Sequence, residues 1–186
     1  NPVFKGLSFT VNPGETVAIV GPTGAGKTSL INLISRYYEF QKGKITIDDL
    51  DIRNIDINIL RSKIAVVLQD VFLFNTTILE NITIGDLKIS RKEVIQAAKK
   101  VGVHEFINQL PGGYDFEVKE RGGLLSSGQR QIIAFLRAYV YQPQLLILDE
   151  ATSSIDSLSE EFIQNATEEI TKSRTSIIIA HRLSTI

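Results

Sequence analysis

Gly21-Pro-Thr-Gly-Ala-Gly-Lys27-Thr28 is the stretch on which the fold turns. It fits G-x-x-x-x-G-K-[ST], a loop whose backbone N–H groups wrap the phosphates of a nucleotide. By average residue usage the pattern arises by chance in about one chain in 150 of this length, so its surroundings decide. Thr16 to Val20 is a short apolar run entering the loop, and Leu30, Ile31, Leu33 and Ile34 continue on a helical period. Strand, glycine loop and helix in that order confirm a phosphate site over a plain glycine turn. Gly21, Thr23, Gly24, Ala25, Gly26, Lys27, Thr28 and Ser29 are therefore the candidate phosphate-binding residues. Lys27 is placed to reach the β and γ phosphates, and the Thr28 hydroxyl to hold Mg²⁺.

Outward from the loop, Leu7, Phe9 and Val11 alternate with polar neighbours, which predicts a half-buried strand before the turn Asn12-Pro13-Gly14. Lys44 to Asp48 alternates again, and Ile64 to Leu68 is the continuous apolar run of a buried parallel strand. Ser90 followed by Glu93 reads as a capping box opening a helix through Lys100. A shorter helical piece covers His104 to Leu110 and ends at Pro111-Gly112-Gly113, with His104 on its surface. Gln129 to Tyr141 carries Ile132, Ile133, Phe135, Leu136, Tyr139 and Val140 at helical spacing. The sheet resumes at Leu145 to Leu148; a helix through Leu158, Phe162, Ala166 and Ile170 follows, then a strand from Thr175 to Ile179. The pattern is a βαβ core, residues 1–70 and 142–186, interrupted by a helical subdomain at 71–141.

Composition narrows the class. The chain has 186 residues, 43% hydrophobic and 22% charged, as expected of one folded domain. A net charge of −1 gives no support to a nucleic-acid or anionic-membrane binder. The absence of cysteine excludes disulfides, thiolate zinc sites and cysteine nucleophiles. No run approaches the roughly 18 apolar residues of a membrane helix. Methionine is absent, position 1 included, which points to a piece of a longer polypeptide.

Leu145-Leu-Ile-Leu-Asp149-Glu150 is an apolar strand ending in two carboxylates. Ligands of open α/β sheets sit at the carboxyl ends of strands, so both acids are expected to face the nucleotide. Asp149 is the candidate Mg²⁺ ligand, and Glu150 the group that polarises the attacking water. Ser126, Ser127 and Gly128 precede an amphipathic helix, whose N–H groups offer a second anion site, although by themselves they read better as a bare helix N-cap.

Leu125-Ser-Ser-Gly-Gln-Arg-Gln131, standing between a phosphate loop and an Asp-Glu strand, resembles the signature motif of ATP-binding cassette (ABC) ATPases. The resemblance implies an α/β P-loop NTPase fold, with a mainly parallel sheet, an antiparallel β edge and an inserted α-helical subdomain. It implies ATP and Mg²⁺ as ligands, and a second nucleotide-binding domain whose Ser126, Ser127, Gly128 and Gln129 complete the site. Gln69 matches the glutamine that approaches Mg²⁺ and water and senses the transmembrane partner. Ser153-Ser-Ile-Asp156 resembles the loop that crosses the dimer interface, and His181 the histidine that contacts the γ-phosphate. Catalysis would thus rest on Glu150, His181, Lys27 and Gln69, and the metal on Thr28, Gln69 and Asp149. Ser127 stands where the family's signature more often has glycine, and Phe4 where it has a core aliphatic.

The segments Gln69 to Asn81, Leu110-Pro-Gly-Gly-Tyr114, Glu120-Arg-Gly122 and Ala180-His-Arg-Leu-Ser184 are similar to those of ABC exporters. That subtype implies transmembrane domains as partners, a place on the cytoplasmic face of a cell membrane, and no nucleic acid. The alternative is a soluble ABC ATPase working on nucleic acid or the ribosome, against which stand the near-neutral charge and the Glu120 stretch. A simple P-loop kinase would leave the signature helix unexplained.

Overall fold

Short apolar runs form the strands in the computed structural model, which describes residues 3–149, 157–172 and 174–180. The strands are β1 (Thr16–Val20), β2 (Thr46–Ile47), β3 (Leu50–Asp51), β4 (Ile64–Val67), β5 (Leu145–Asp149) and β6 (Thr175–Ala180). Four of them form a sheet in the order β1-β6-β5-β4, while β2 and β3 make a separate antiparallel ladder. β6 runs parallel to β1 on one side and to β5 on the other, pairing Val20 with Ala180 and Asp149 with Ile179. The carboxyl ends of β1 and β5 therefore lie at one edge of the sheet, two strand spacings or about 10 Å apart.

The helices are α1 (Lys27–Ile34), α2 (Ile57–Ser62), α3 (Ile78–Thr83), α4 (Arg91–Val101), α5 (His104–Gln109), α6 (Ser127–Val140) and α7 (Ser157–Thr171). Their starts follow capping chemistry. Asp56 accepts from the N–H groups of Asn58 and Ile59 at the head of α2. Reciprocal capping boxes open α3 (Thr77 and Glu80), α4 (Ser90 and Glu93) and α6 (Ser126 and Gln129). α4 stops at Gly102, whose φ of 81° lets the chain leave the helix through the left-handed region.

The chain packs as two compact units. In the first, Leu30, Ile31 and Ile34 of α1 bury against Ile147 of β5 and Ile177 and Ile179 of β6. In the second, α6 is the central helix, with Ile132, Ile133, Phe135 and Leu136 buried and with α3, α4 and α7 packed around it. α7 buries Ile163, Ala166 and Ile170 at helical spacing in the same unit. Among the described residues no helix is long and apolar enough to cross a membrane.

The strand expected at Leu7 to Val11 is not formed. Leu7 and Phe9 are 55% and 45% exposed, and only Val11 leans on the core. A strand exists by virtue of its ladder, and among the described residues none pairs with this segment. α2 and α3 carry no long apolar period and were not anticipated, although Thr77-x-x-Glu80 is a legible capping box.

One buried polar side chain organises the second unit's entry segment. Asn81, fully buried in α3, accepts from the Phe74 N–H (2.8 Å) and donates to the carbonyls of Phe74 and Thr77 (both 3.0 Å). The side chain thus holds the start of the extended stretch after Leu73, whose far end is held by an antiparallel bridge between Thr77 and Glu117. Asn81→Ala leaves the Phe74 N–H without its acceptor and takes one donor each from the Phe74 and Thr77 carbonyls, which keep the N–H groups of Thr76 and of residue 81; it is expected to cost about 1–3 kcal/mol, read as a lowered urea midpoint. An unchanged midpoint would show the clamp to be dispensable.

Candidate functional site

β1 ends at Val20 and the chain turns through the glycine loop into α1. Gly26 is the N-cap at φ 91° and ψ 10°. This is a left-handed conformation that suits glycine, and space enforces the same choice. A Cβ built there would lie 2.8 Å from Val3 Cγ1 and 3.1 Å from Phe4 Cε1. The first intrahelical bond runs from the Leu30 N–H to the Gly26 carbonyl, so the N–H groups of Lys27, Thr28 and Ser29 point out of the helix end. Thr23, Gly24 and Ala25 are exposed in the turn before it.

Lys27 is 8% exposed, and its ammonium donates to the carbonyls of Gly21 (2.5 Å) and Pro22 (3.1 Å). The lysine therefore folds back over its own loop and concentrates positive charge where the helix dipole is also positive. Asp149 closes β5 at the same sheet edge, half-buried. The Thr28 hydroxyl stands exposed in the first turn of α1. A hydroxyl and one carboxylate suit Mg²⁺, which completes its octahedron with phosphate oxygens and water rather than with a protein cage.

In the second unit, Ser126 and Gln129 are engaged in capping α6. The Ser126 N–H donates to Gln129 Oε1 (2.9 Å), and the Gln129 N–H to Ser126 Oγ (3.2 Å). Ser126 and Ser127 are exposed and Gly128 is buried. Ser127 is the first residue of α6, in right-handed helical conformation, so serine in place of the family's glycine meets no backbone obstacle. Gly122 does require glycine: its φ is 69°, and a Cβ would lie 2.9 Å from Arg130 Cδ and 3.0 Å from Leu73 Cδ1. The Leu125 N–H donates to the Gly122 carbonyl (2.9 Å), and Arg130 Nη1 donates to the Leu125 carbonyl (2.7 Å). The stretch Glu120 to Leu125 and the head of α6 are thereby one rigid piece.

Gln69 is exposed, two residues after β4 ends. Glu150, His181 and the segment Ser153 to Asp156 lie outside the described residues. His104 is half-buried rather than a surface residue, and both ring nitrogens are engaged: Nδ1 with the Tyr114 hydroxyl (2.9 Å) and Nε2 with the Asn108 amide (3.0 Å). Beside it, Arg91 pairs with both carboxylate oxygens of Asp115 and lies over the Tyr114 ring. The sequence reading had no signal for the packing of Val3 and Phe4 against Gly26.

The sequence profile of the ABC transporter family matches residues 4–153. The chain belongs to the ABC transporter family. It is 51% identical to the fatty acid ABC transporter ATP-binding/permease protein of Mycobacterium tuberculosis over 185 residues, covering 100% of this chain and 29% of that protein. It is 49% identical to the ATP-dependent lipid A-core flippase of Methylobacillus flagellatus over 186 residues, covering 100% of this chain and 32% of that one. The solved structure of a bacterial Atm1-family ABC exporter with ATP bound superposes with a TM-score of 0.89 at 44% identity, covering 99% of this chain and 32% of that one. The chain thus spans about a third of the length of these relatives. Its fold is that of an ABC exporter's nucleotide-binding domain, a P-loop NTPase with a mainly parallel sheet, an antiparallel edge and helices.

This ABC domain carries a second surface. Phe72 and Phe74, both about half exposed, meet edge-on with ring centroids 5.2 Å apart. Phe74, Thr76, Glu80, Ile84 and Gly85 line an open groove of about 280 Å³.

Gly26→Ala tests the phosphate loop's geometry. Relieving the clash and the disallowed φ is expected to cost about 1–3 kcal/mol, and so to weaken nucleotide affinity roughly 10- to 100-fold in a fluorescent-nucleotide titration while the circular dichroism spectrum is retained. Full affinity in the variant would mean that Val3 and Phe4 yield without effect on the loop.

Proposed function

We propose that this ABC domain binds and hydrolyses Mg-ATP and that, in pairs, it drives export through a permease on whose cytoplasmic side it sits. The observation that carries the reading is a buried lysine at a helix N-terminus and a strand-end aspartate on one edge of a parallel sheet. ATP lies along the loop, its phosphates taken by the N–H groups of residues 23–28 and by the Lys27 ammonium. Two of that ammonium's three donors are on loop carbonyls, which leaves the third for a phosphate oxygen. Thr28 and Asp149 would hold Mg²⁺, with Gln69 as the third candidate, and the ion would neutralise phosphate charge. A water oxygen attacks the γ-phosphorus, the bond to the bridging oxygen of ADP breaks, and Glu150 accepts the water's proton. Lys27 and His181 offset the charge on the transferring group.

The signature residues Ser126, Ser127, Gly128 and Gln129 complete this site on a second copy or a related domain. The N–H groups at the head of α6 suit a γ-phosphate for the same reason that those of α1 suit the rest of the chain of phosphates. Hydrolysis reopens the pair. The exporters among the relatives favour this reading over a soluble ATPase acting on nucleic acid.

The groove beside Phe74 takes a cytoplasmic segment of the permease. Its occupant is a short stretch with an apolar face, because Phe74 and Ile84 are among the residues that line it and the relative from Mycobacterium tuberculosis is named an ATP-binding/permease protein. The piece formed by Glu120 to Leu125 and α6 then links permease contacts to the signature.

Glu150→Gln is expected to slow turnover about 10²-fold or more with ATP binding retained. In light scattering, the variant should become a dimer only when Mg-ATP is added. A variant that turns over as fast as its parent would remove Glu150 from the mechanism. One that binds ATP yet stays monomeric would assign the signature to an unlike partner.

A further inference from the structure

Lys119 holds a backbone conformation that belongs to glycine. Its φ of 59° and ψ of −175° place it in a region that a Cβ all but closes. Two residues on, Arg121 is left-handed as well, at φ 52° and ψ 23°. Core packing explains neither, because both residues are exposed. The Lys119 ammonium meets Glu117 Oε2 at 2.9 Å, but the two side chains are 59% and 65% exposed, and an ion pair so open to water contributes little. The fold therefore carries this strain without a local contact that offsets it.

What maintains the strain is the hold on either side of it. Before Lys119, Thr77 and Glu117 form an antiparallel bridge. The Ile78 N–H donates to the Phe116 carbonyl (3.0 Å) and the Val118 N–H to the Thr76 carbonyl (3.1 Å), and the Val118 side chain is fully buried. After Lys119, the Gly122 N–H returns to the Lys119 carbonyl (3.1 Å) and the Gly123 N–H to that of Glu120 (3.0 Å). Gly122 is buried against Leu73 and Arg130, and Leu125 is buried too. Lys119 is thus the joint between two fixed bodies. One is the bridge; the other is the Glu120 to Leu125 piece with the head of α6, whose cap, Ser126, follows Leu125 directly.

We propose that Lys119 is a strained joint that keeps the signature end of α6 ready to move. Turning Lys119 out of the glycine region relaxes the backbone and lets the bridge part from the piece that leads into the signature. The proposal rests on the reading that Ser126 to Gln129 complete a nucleotide site. A joint loaded in this way favours release of the hydrolysis products, because part of the cost of parting the signature from them is already stored in the backbone. Lys119 is a positioning residue, acting through Gly122 and Leu125, and not a catalytic one.

Two variants of the full-length exporter in lipid nanodiscs separate backbone from side chain. Lys119→Gly removes the strain, and Lys119→Gln keeps it while removing the charge. The first readout is hydrogen exchange by mass spectrometry over residues 118–125, without nucleotide and corrected for intrinsic rates. Exchange in Lys119→Gly is expected to be about fivefold or more slower than in the parent, even after the flexibility that glycine adds to the open state. Lys119→Gln should exchange like the parent. The second readout is ATP turnover, where kcat and KM are expected to fall together, about threefold, in Lys119→Gly alone. Equal exchange in all three proteins would overturn the strain. Equal slowing in both variants would assign the effect to the pair with Glu117 and overturn it as well. Slower exchange with unchanged turnover would overturn the role in release. If Lys119→Gly slows exchange and turnover while Mg-ATP protects this segment in none of the three proteins, the joint stands and the nucleotide site at Ser126 to Gln129 falls.

Discussion

A cation buried at the wrong end of a helix is the constraint around which the first unit is built. The head of α1 carries positive partial charge from its unpaired N–H groups, and Lys27 adds a full charge at that point with 8% exposure. The carbonyls of Gly21 and Pro22 answer part of it. The rest of the local field is suited to a polyanion. To present it, the loop must curl tightly enough to bring its own carbonyls under the ammonium, which is why Gly26 takes a φ of 91° with side chains of Val3 and Phe4 packed against it. The parallel sheet supplies the rest: with β6 between them, β1 and β5 end together, so Asp149 arrives at the edge where the loop begins.

The second unit solves a different problem, that of holding loops still with a single antiparallel bridge among the described residues, Thr77 to Glu117. Beyond that bridge, polar side chains take up backbone groups of its loops. Asn81 pairs with both backbone groups of Phe74, Arg130 takes the Leu125 carbonyl, and Arg137 takes that of Asn81. Burial lowers the Arg137 pKa from its ordinary value, and the hydrogen bond to a helix-end carbonyl gives the cation a favourable partner there.

This difference explains what the sequence could tell. Periodicity and caps are local, so β1, β4, β5 and β6 and the helices α1, α4, α5, α6 and α7 were legible, as was the glycine loop with its strand and helix. Ser90-x-x-Glu93 named its helix start, and Thr77-x-x-Glu80 would have named another. The Asn81 clamp joins residues seven apart, and Arg137 reaches back across 56 positions. No period or motif marks a side chain that bonds a distant carbonyl. The alternation at Leu7, Phe9 and Val11 misled for the converse reason: it marks a face, and a face becomes a strand only when a neighbour pairs with it. Of the site, Lys27, Thr28 and Asp149 followed from the loop and the strand end, whereas Gln69, the signature and His181 carried meaning only through the family resemblance.

α6 joins these threads. Its N-terminus holds the signature serines and, through Arg130, the Glu120 to Leu125 stretch; its C-terminal turn holds α3 and one wall of the groove through Arg137 and Tyr141. Fourteen helical residues separate the two ends by about 21 Å. The middle of the helix is buried, with Ile132, Ile133, Phe135 and Leu136 packed among α3, α4 and α7, and close-packed interiors transmit displacement rather than absorb it. The two ends of α6 are therefore held in one close-packed body. The two units thus keep their backbone turns by different means: Gly26 turns left-handed because it carries no side chain, and the end of α3 is held by the Arg137 and Tyr141 side chains that reach its carbonyls.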